Sequence, residues 1–253
     1  MNDPVTHLVV VTQLALKPHR NAVRFDKTWL ERRLDRFEQT TMRSALPQVV
    51  SEGALWLVLY DSRHPGMTPE SRARVRGFAQ PGLEVLETPE SWKMADRAVR
   101  RWLGWRGFNG PLITVRLDSD DLIGSGFLAG IKATPKPHGR AWLSYCYGVV
   151  TDEKKALERR YEKNPFIALY EPATEYHWTC FVTGHTLIAD PSRYPDRQVP
   201  PIIGIGQNVK AQPKRRWAQV CHGDNIVNSL SSVQIGVGKE LGPWTEIREA
   251  FYP

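Results

Sequence analysis

Residues 113–124, ITVRLDSDDLIG, run a short apolar, β-branched segment straight into Asp118, Asp120 and Asp121. Carboxylates at that density repel one another and resist burial, so the arrangement calls for a counter-charge. A divalent cation is the direct candidate. On a strand, side chains alternate with period two, which would turn Asp118 and Asp120 to the same side. Two converging carboxylates form a hard-oxygen site for Mg²⁺ or Mn²⁺, metals that take few protein ligands and complete their shell with substrate phosphates. The substrate so implied carries a diphosphate. The competing reading is an acidic strand-to-loop turn whose aspartates cap neighbouring backbone amides.

Other residues could serve the same chemistry, each beside a plainer role. Arg116, two residues before the cluster, can pair with an aspartate or reach a diphosphate. Lys210, Lys214, Arg215 and Arg216 form a basic stretch. Closed over a diphosphate it would stabilise a leaving group and exclude water; otherwise it is a solvated charge run. His222, in the sequence His-Gly-Asp-Asn, is a competent Mn²⁺ ligand when neutral, although a lone histidine is more often a satisfied polar residue.

The elements that must position these residues follow from periodicity. HLVVVTQLAL (7–16) reads as a buried first strand. Thr28 with Glu31 forms a capping-box pattern, and Leu30, Leu34, Phe37 and Thr41 keep helical spacing until Pro47 ends it. ALWLVLYDS (54–62) is a second strand ending at Asp61, and GLEVLET a third, after a basic stretch from Arg72 to Arg76. ESWKMADRAVRRWLGW is a helix with Trp92, Ala95, Val99 and Trp102 on one face and Lys93, Arg97 and Arg101 on another. This succession predicts an α/β protein with a mostly parallel sheet in its first half, and ligands of such sheets collect outside the carboxyl ends of the strands. In the second half, RAWLSYCYGVV and YHWTCFVTGHTLI read as long aromatic strands, DEKKALERRYEK as a helical piece, and PPIIGIGQNVKAQPKRR as a Gly/Pro-punctuated flexible loop.

A chain of 253 residues with 41% hydrophobic and 24% charged residues has the composition of a globular protein and is expected to form a single domain. Cys146, Cys180 and Cys221 are widely spaced and form no CxxC pair, which suits a reducing compartment and argues against structural zinc. The N-terminal apolar run follows Asp3 and lacks a basic leader, so it reads as a strand and not a signal peptide. No stretch reaches the roughly 18 apolar residues of a membrane span, and a cytoplasmic location is expected. The net charge of +7 points to acidic partners: nucleic acid, an anionic membrane surface or phosphorylated small molecules.

The aspartate cluster, set after an α/β half, resembles the DxD motif of GT-A nucleotide-sugar glycosyltransferases. More closely, the chain resembles the bacterial family described as rhamnosyltransferases, through VRFDKTWLERRLDRFEQTTMRSALPQ, LWLVLYDS, TVRLDSDD and VCHGDN, which span residues 23 to 225. The resemblance implies a GT-A-like, Rossmann-like sheet flanked by helices, with residues 1–125 as the nucleotide-sugar-binding half. Residues 126–253 would be a mixed-sheet acceptor half with a basic loop at 203–216. It implies that Asp118 or Asp120 holds the metal and donor ribose, and Asp120 or Asp121 the metal and diphosphate. Asp61 would lie where the donor base or ribose is contacted, although a turn role before Pro65-Gly66 fits it equally. Lys93 and Arg97 would hold phosphate, and His222 would complete the metal site. The donor would be a nucleoside diphosphate sugar, and the acceptor a glycan, a lipid-linked sugar, a protein or a nucleic acid. An inverting reaction needs a group to take the acceptor's proton. Glu171, Glu175, His185 and Asp190 are the candidates, with Glu171 favoured because it follows the apolar FIALY. Two rival readings stay open. A nucleotidyltransferase would use the same carboxylate-bound metal, and a nucleic-acid-binding module would use the charge and nine tryptophans.

Overall fold

The β-branched run near the N-terminus becomes β1 (His7–Ala15), whose residues are buried on both faces. Its even and odd positions join different cores. Leu8, Val10 and Leu14 pack with Trp29, Leu30, Leu34, Phe37 and Val49. Val9 and Val11 pack with Ala95, Val99, Trp102 and Leu103. A strand sandwiched between two layers of helix has no polar face, which is why its sequence is a nearly unbroken apolar run. The computed structural model describes residues 6–16, 25–91, 94–172, 178–183, 187–194, 198–205, 215–221 and 239–252.

Around β1 lie β2 (Leu55–Tyr60), β3 (Leu83–Glu87) and β4 (Leu112–Arg116). β1 pairs in parallel with both β2 and β4, and β2 pairs in parallel with β3, as the first-half pattern predicts. The connecting helices are α1 (Lys27–Arg36) and α2 (Arg43–Ser51), α3 (Pro69–Arg76), and α4 (Ala95–Arg106). The chain is therefore α/β. Three local expectations differ. Asp26, not Thr28, caps α1, its carboxylate accepting from Trp29 N at 2.8 Å. The helix does not end at Pro47, which sits inside α2. A π-helical segment, Phe37–Met42, precedes α2, so the hydrogen-bond ladder that a proline ring would disturb is already irregular just upstream. The basic stretch at 72–76 belongs to α3, capped by Thr68 and Ser71.

The second half departs further from expectation. RAWLSYCYGVV is two strands, β6 (Ala141–Tyr145) and β7 (Tyr147–Thr151), which belong to different sheets. DEKKALERRYEK forms no helix: it supplies β8 (Lys155–Arg160), antiparallel to β7. The turn between them is made by Asp152, whose carboxylate accepts from Lys154 N and Lys155 N, and by Glu153 at φ 69°. The described part of YHWTCFVTGHTLI contains no strand. In the proposed loop, Ile202–Ile205 is β10, and residues 206–214 lie outside the described residues.

Among the described residues, one sheet has the order β10-β6-β9-β4-β1-β2-β3, with β9 (Ala168–Glu171) antiparallel to β4 and β6. The other has the order β12-β8-β7-β11-β5, from β5 (Leu122–Ile123), β11 (Trp217–Val220) and β12 (Glu240–Pro243). A short helix, α5 (Phe127–Ala133), follows β5, and α6 (Trp244–Ile247) follows β12. From β1 the chain builds outward through β2 and β3, then returns to place β4 on the other side. The β1/β4 boundary is thus the topological switch point where such sheets hold ligands, at the strands' carboxyl ends.

Candidate functional site

β4 ends at Arg116, and the aspartates lie beyond it. Leu117 N still donates to Val11 O (3.1 Å), which ties the exit of β4 to β1. Residues 118–121 then form a turn closed by Asp121 N donating to Asp118 O (3.3 Å), after which β5 enters the second sheet. The cluster is therefore a turn joining two sheets at the switch point, and the period-two argument for a strand does not position its side chains.

Each aspartate has a distinct setting. Asp118 receives a two-pronged contact from Arg116, Nε to Oδ1 at 3.0 Å and Nη2 to Oδ2 at 3.1 Å. Of the two roles open to Arg116, the pairing is the one the structure displays. Burial lowers the Arg116 pKa, but the Asp118 charge and hydrogen bonds outweigh it and the net shift is upward. Asp120 is buried, with Arg33 Nη1 3.8 Å from its Oδ2. Asp121 is buried, and its Oδ1 accepts from Val220 N at 2.9 Å. Burial, and then the charges of Asp120 and Asp118, hold its carboxyl well above the usual range.

The turn is braced from beneath by α2. Ser44 Oγ accepts from Ile123 N at 3.3 Å, and Gln48 Nε2 donates to Ile123 O at 3.4 Å. Gln48 Oε1 accepts from Leu128 N at 3.3 Å. Both side chains are buried and stand four residues apart, on one face of the helix. That pair was not singled out by the sequence; its signal is a polar interruption of an apolar helical face.

On the other side of the turn, Phe25, Trp29 and His64 pack together, His64 stacked on Trp29 with ring centroids 5.5 Å apart. His64 Nδ1 accepts from Gly66 N at 3.1 Å, so the neutral ring carries its proton on Nε2. Burial, then the charge of Arg33, lowers its pKa to about 4, against the pull of Asp61. Asp61 N donates to Ala15 O, which places Asp61 at the β1/β2 exit. Its carboxylate is 2% exposed and is engaged by Arg63 through the backbone N, Nε and Nη2 at 2.8 to 2.9 Å. This is the turn role, with an arginine added.

Arg33 was not singled out by the sequence, although Trp29 and Arg33 stand at i,i+4 on a helix whose start faces the carboxyl ends of the strands. Its guanidinium lies over the Trp29 ring at 5.1 Å, and its Nε donates to Leu14 O at 3.1 Å.

Several predicted residues are not brought to the aspartates. Glu171 pairs with Leu112, the first residue of β4, so it stands at the opposite end of the sheet. Six residues of extended chain separate Leu112 from Asp118, roughly 20 Å. There Glu171 Oε1 accepts from Arg140 Nε at 2.7 Å and Oε2 from Trp178 N at 3.3 Å. It is a buried, ion-paired residue remote from the aspartate turn. Asp190 caps a 3₁₀ turn, accepting from Ser192 N. Arg97 is exposed in the first turn of α4, 3.8 Å from Glu90. Arg215 donates to Glu158 on β8 at 2.8 Å. Lys93, Glu175, His185, Lys210, Lys214 and His222 lie outside the described residues. The last described residue before His222 is Cys221, whose thiol is pushed up to about 12 by burial and then by the charges of Asp121 and Asp120. β11 therefore delivers the chain to the aspartate turn.

Among the described residues, no group of three or more His, Cys, Asp or Glu side chains is placed to hold a metal ion. The turn still has the chemistry of a partial one. Its donors are hard oxygens, two of its carboxylates are buried and in mutual repulsion, and the Ser119 hydroxyl at its centre is buried with no hydrogen-bond partner among the described residues. Mg²⁺ and Mn²⁺ accept such a partial set and complete it with water and phosphate. A separate cavity of about 500 Å³ is lined by Met42, Arg43, Leu46, Phe78 and Tyr252 among others and contains none of the aspartates. No helix among the described residues is long and apolar enough to cross a membrane. No family model matches the chain, and no curated protein matches it.

Proposed function

We propose that this chain is a metal-dependent glycosyltransferase of GT-A-like architecture, moving a sugar from a nucleoside diphosphate sugar to an acceptor hydroxyl. The observation that carries the reading is the turn of three aspartates at the carboxyl end of β4, beside β1, at the switch point of a mostly parallel sheet. Three of the sequence blocks that resemble the glycosyltransferase family support it by contributing to the turn and its surroundings. The first supplies Arg33 beside Asp120, the third runs into the turn, and the fourth opens with Val220, which donates to Asp121, while the second carries Asp61 at the neighbouring β1/β2 exit.

In this reading Asp120 and Asp121 would be the described ligands of Mn²⁺ or Mg²⁺, Asp118 being held by Arg116, and the ion would supply charge neutralisation for the departing diphosphate. The protein's own contribution is positioning. Val220 N fixes one oxygen of Asp121. Arg116 limits repulsion by holding Asp118, and Ser44 with Gln48 keeps the turn from shifting against α2. Burial lowers the local dielectric and strengthens every charge interaction made there.

The test is thermal stability against a panel of nucleoside diphosphates, with and without Mn²⁺, for the native chain and Asp120→Ala. A ligand at a hundred times its Kd adds roughly 2.7 kcal/mol. One nucleotide that stabilises only with Mn²⁺, and not in Asp120→Ala, is the expected result; indifference to every nucleotide removes the reading. Product analysis then separates glycosyl transfer, which releases nucleoside diphosphate, from nucleotidyl transfer, which releases pyrophosphate.

A further inference from the structure

Resting on the proposed metal site, we infer that Arg33 is an exchangeable counter-ion, holding Asp120 when the site is empty and holding the diphosphate when a metal neutralises Asp120. Three observations lead there. Arg33 Nη1 stands 3.8 Å from Asp120 Oδ2, close enough for a strong charge interaction and too long for a hydrogen bond. The guanidinium is anchored by its other side, with Nε on Leu14 O at 3.1 Å and its face on Trp29. That leaves its Nη edge on the side of Asp120, and this edge has the fork geometry that matches phosphate oxygens. Finally, burial, aided by the charge of Arg33, keeps His64 neutral, so the ring stacked on Trp29 adds no second cation beside Arg33.

The arrangement has a sign that a structural prop would lack. A fixed positive charge beside Asp120 opposes a metal ion bound alone and favours a diphosphate bound to that metal. Metal and diphosphate should therefore bind with positive coupling, and Arg33 should be the source of much of it.

The experiment is calorimetric titration of the whole chain with Mn²⁺ alone, then of the Mn²⁺-saturated protein with inorganic pyrophosphate. It is run on the native chain, Arg33→Met, Arg33→Lys and Asp120→Asn. Arg33→Met keeps an apolar stem on Trp29 and removes the charge. It should bind Mn²⁺ about fivefold more tightly than the native chain and pyrophosphate at least tenfold more weakly, within the usual range of coupling. Arg33→Lys keeps the charge without the fork. Its Mn²⁺ affinity should stay near native and its pyrophosphate affinity should fall between the other two, which carries the test if the methionine variant folds poorly. Loss of Mn²⁺ binding in Asp120→Asn together with native affinities for both probes in Arg33→Met would overturn the role of Arg33 and leave the metal site standing. Equal Mn²⁺ binding by Asp120→Asn and the native chain, or none by either, would overturn the metal site and this inference with it.

Discussion

The body of the first sheet and its junction with the second are held together by different means. In the first, β1 buries valines and leucines against helices on both faces. Where β6 and β11 bring the two sheets together within that same core, aromatic and amide groups are pinned one by one. Trp217 stacks on Phe166 and donates from Nε1 to Tyr145 O at 2.7 Å, while Asn164 Nδ2 reaches Ser144 Oγ, Tyr145 O and Tyr161 O at 2.8 to 2.9 Å. Gly148 is obligatory there, since a Cβ would lie 2.0 Å from the Trp217 ring. Apolar layering tolerates exchange of similar side chains, whereas a pinned core fails when one partner is lost. The aspartate turn is the joint between the two sheets, and it draws its supports from both: Ser44 and Gln48 from one side, Val220 from the other.

The largest effect should come from Trp217→Ala, which should cost roughly 3–5 kcal/mol in urea denaturation. Trp217→Phe keeps the stack on Phe166 but leaves Tyr145 O unpaired. Full recovery of stability by phenylalanine would erase the distinction between pinned and layered cores.

Next comes acid sensitivity on the layered side. His64 has a folded pKa of about 4 against an ordinary 6.5, so its neutral form is the one folding favours. Its contribution is fully present above pH 6.5 and is lost as pH falls toward 4, in total on the order of 3 kcal/mol. His64→Phe should flatten stability over that window; an unchanged slope would mean that other groups set it.

Glu171→Gln should be smaller, about 2 kcal/mol, because the amide still accepts one hydrogen bond while Arg140 loses its charged partner. The rate of the proposed glycosyl transfer per folded molecule should not change, and its collapse without loss of stability would support Glu171 as a base. Smallest is Arg215→Ala, which breaks a half-exposed pair with Glu158 and should cost under about 1 kcal/mol.

Legibility followed the same division. Where a strand is buried on both faces, its sequence is a continuous apolar run, and β1, β2 and β4 stood out accordingly. β8 reads LysAlaLeuGluArgArg, in which charge hides a weak alternation, and only the Asp152–Glu153 turn and pairing with β7 make it a strand. Cys146 ends β6 with no glycine or proline to announce it, since the break is dictated by which sheet each half can join. Pro47 misled because the helix had changed its hydrogen-bond register before reaching it.

By itself the sequence determined the four strands of the first half and the place of the aspartates directly after the fourth, though not the helix α3 between the second and third, because periodicity and composition are local properties of a chain. The tertiary structure alone decided which charges meet. Arg33 faces Asp120, and Glu171 is carried to the far end of the sheet to pair with Arg140. Charge pairing depends on separation in space, and residues distant along the chain acquire that separation only when the sheets close around them.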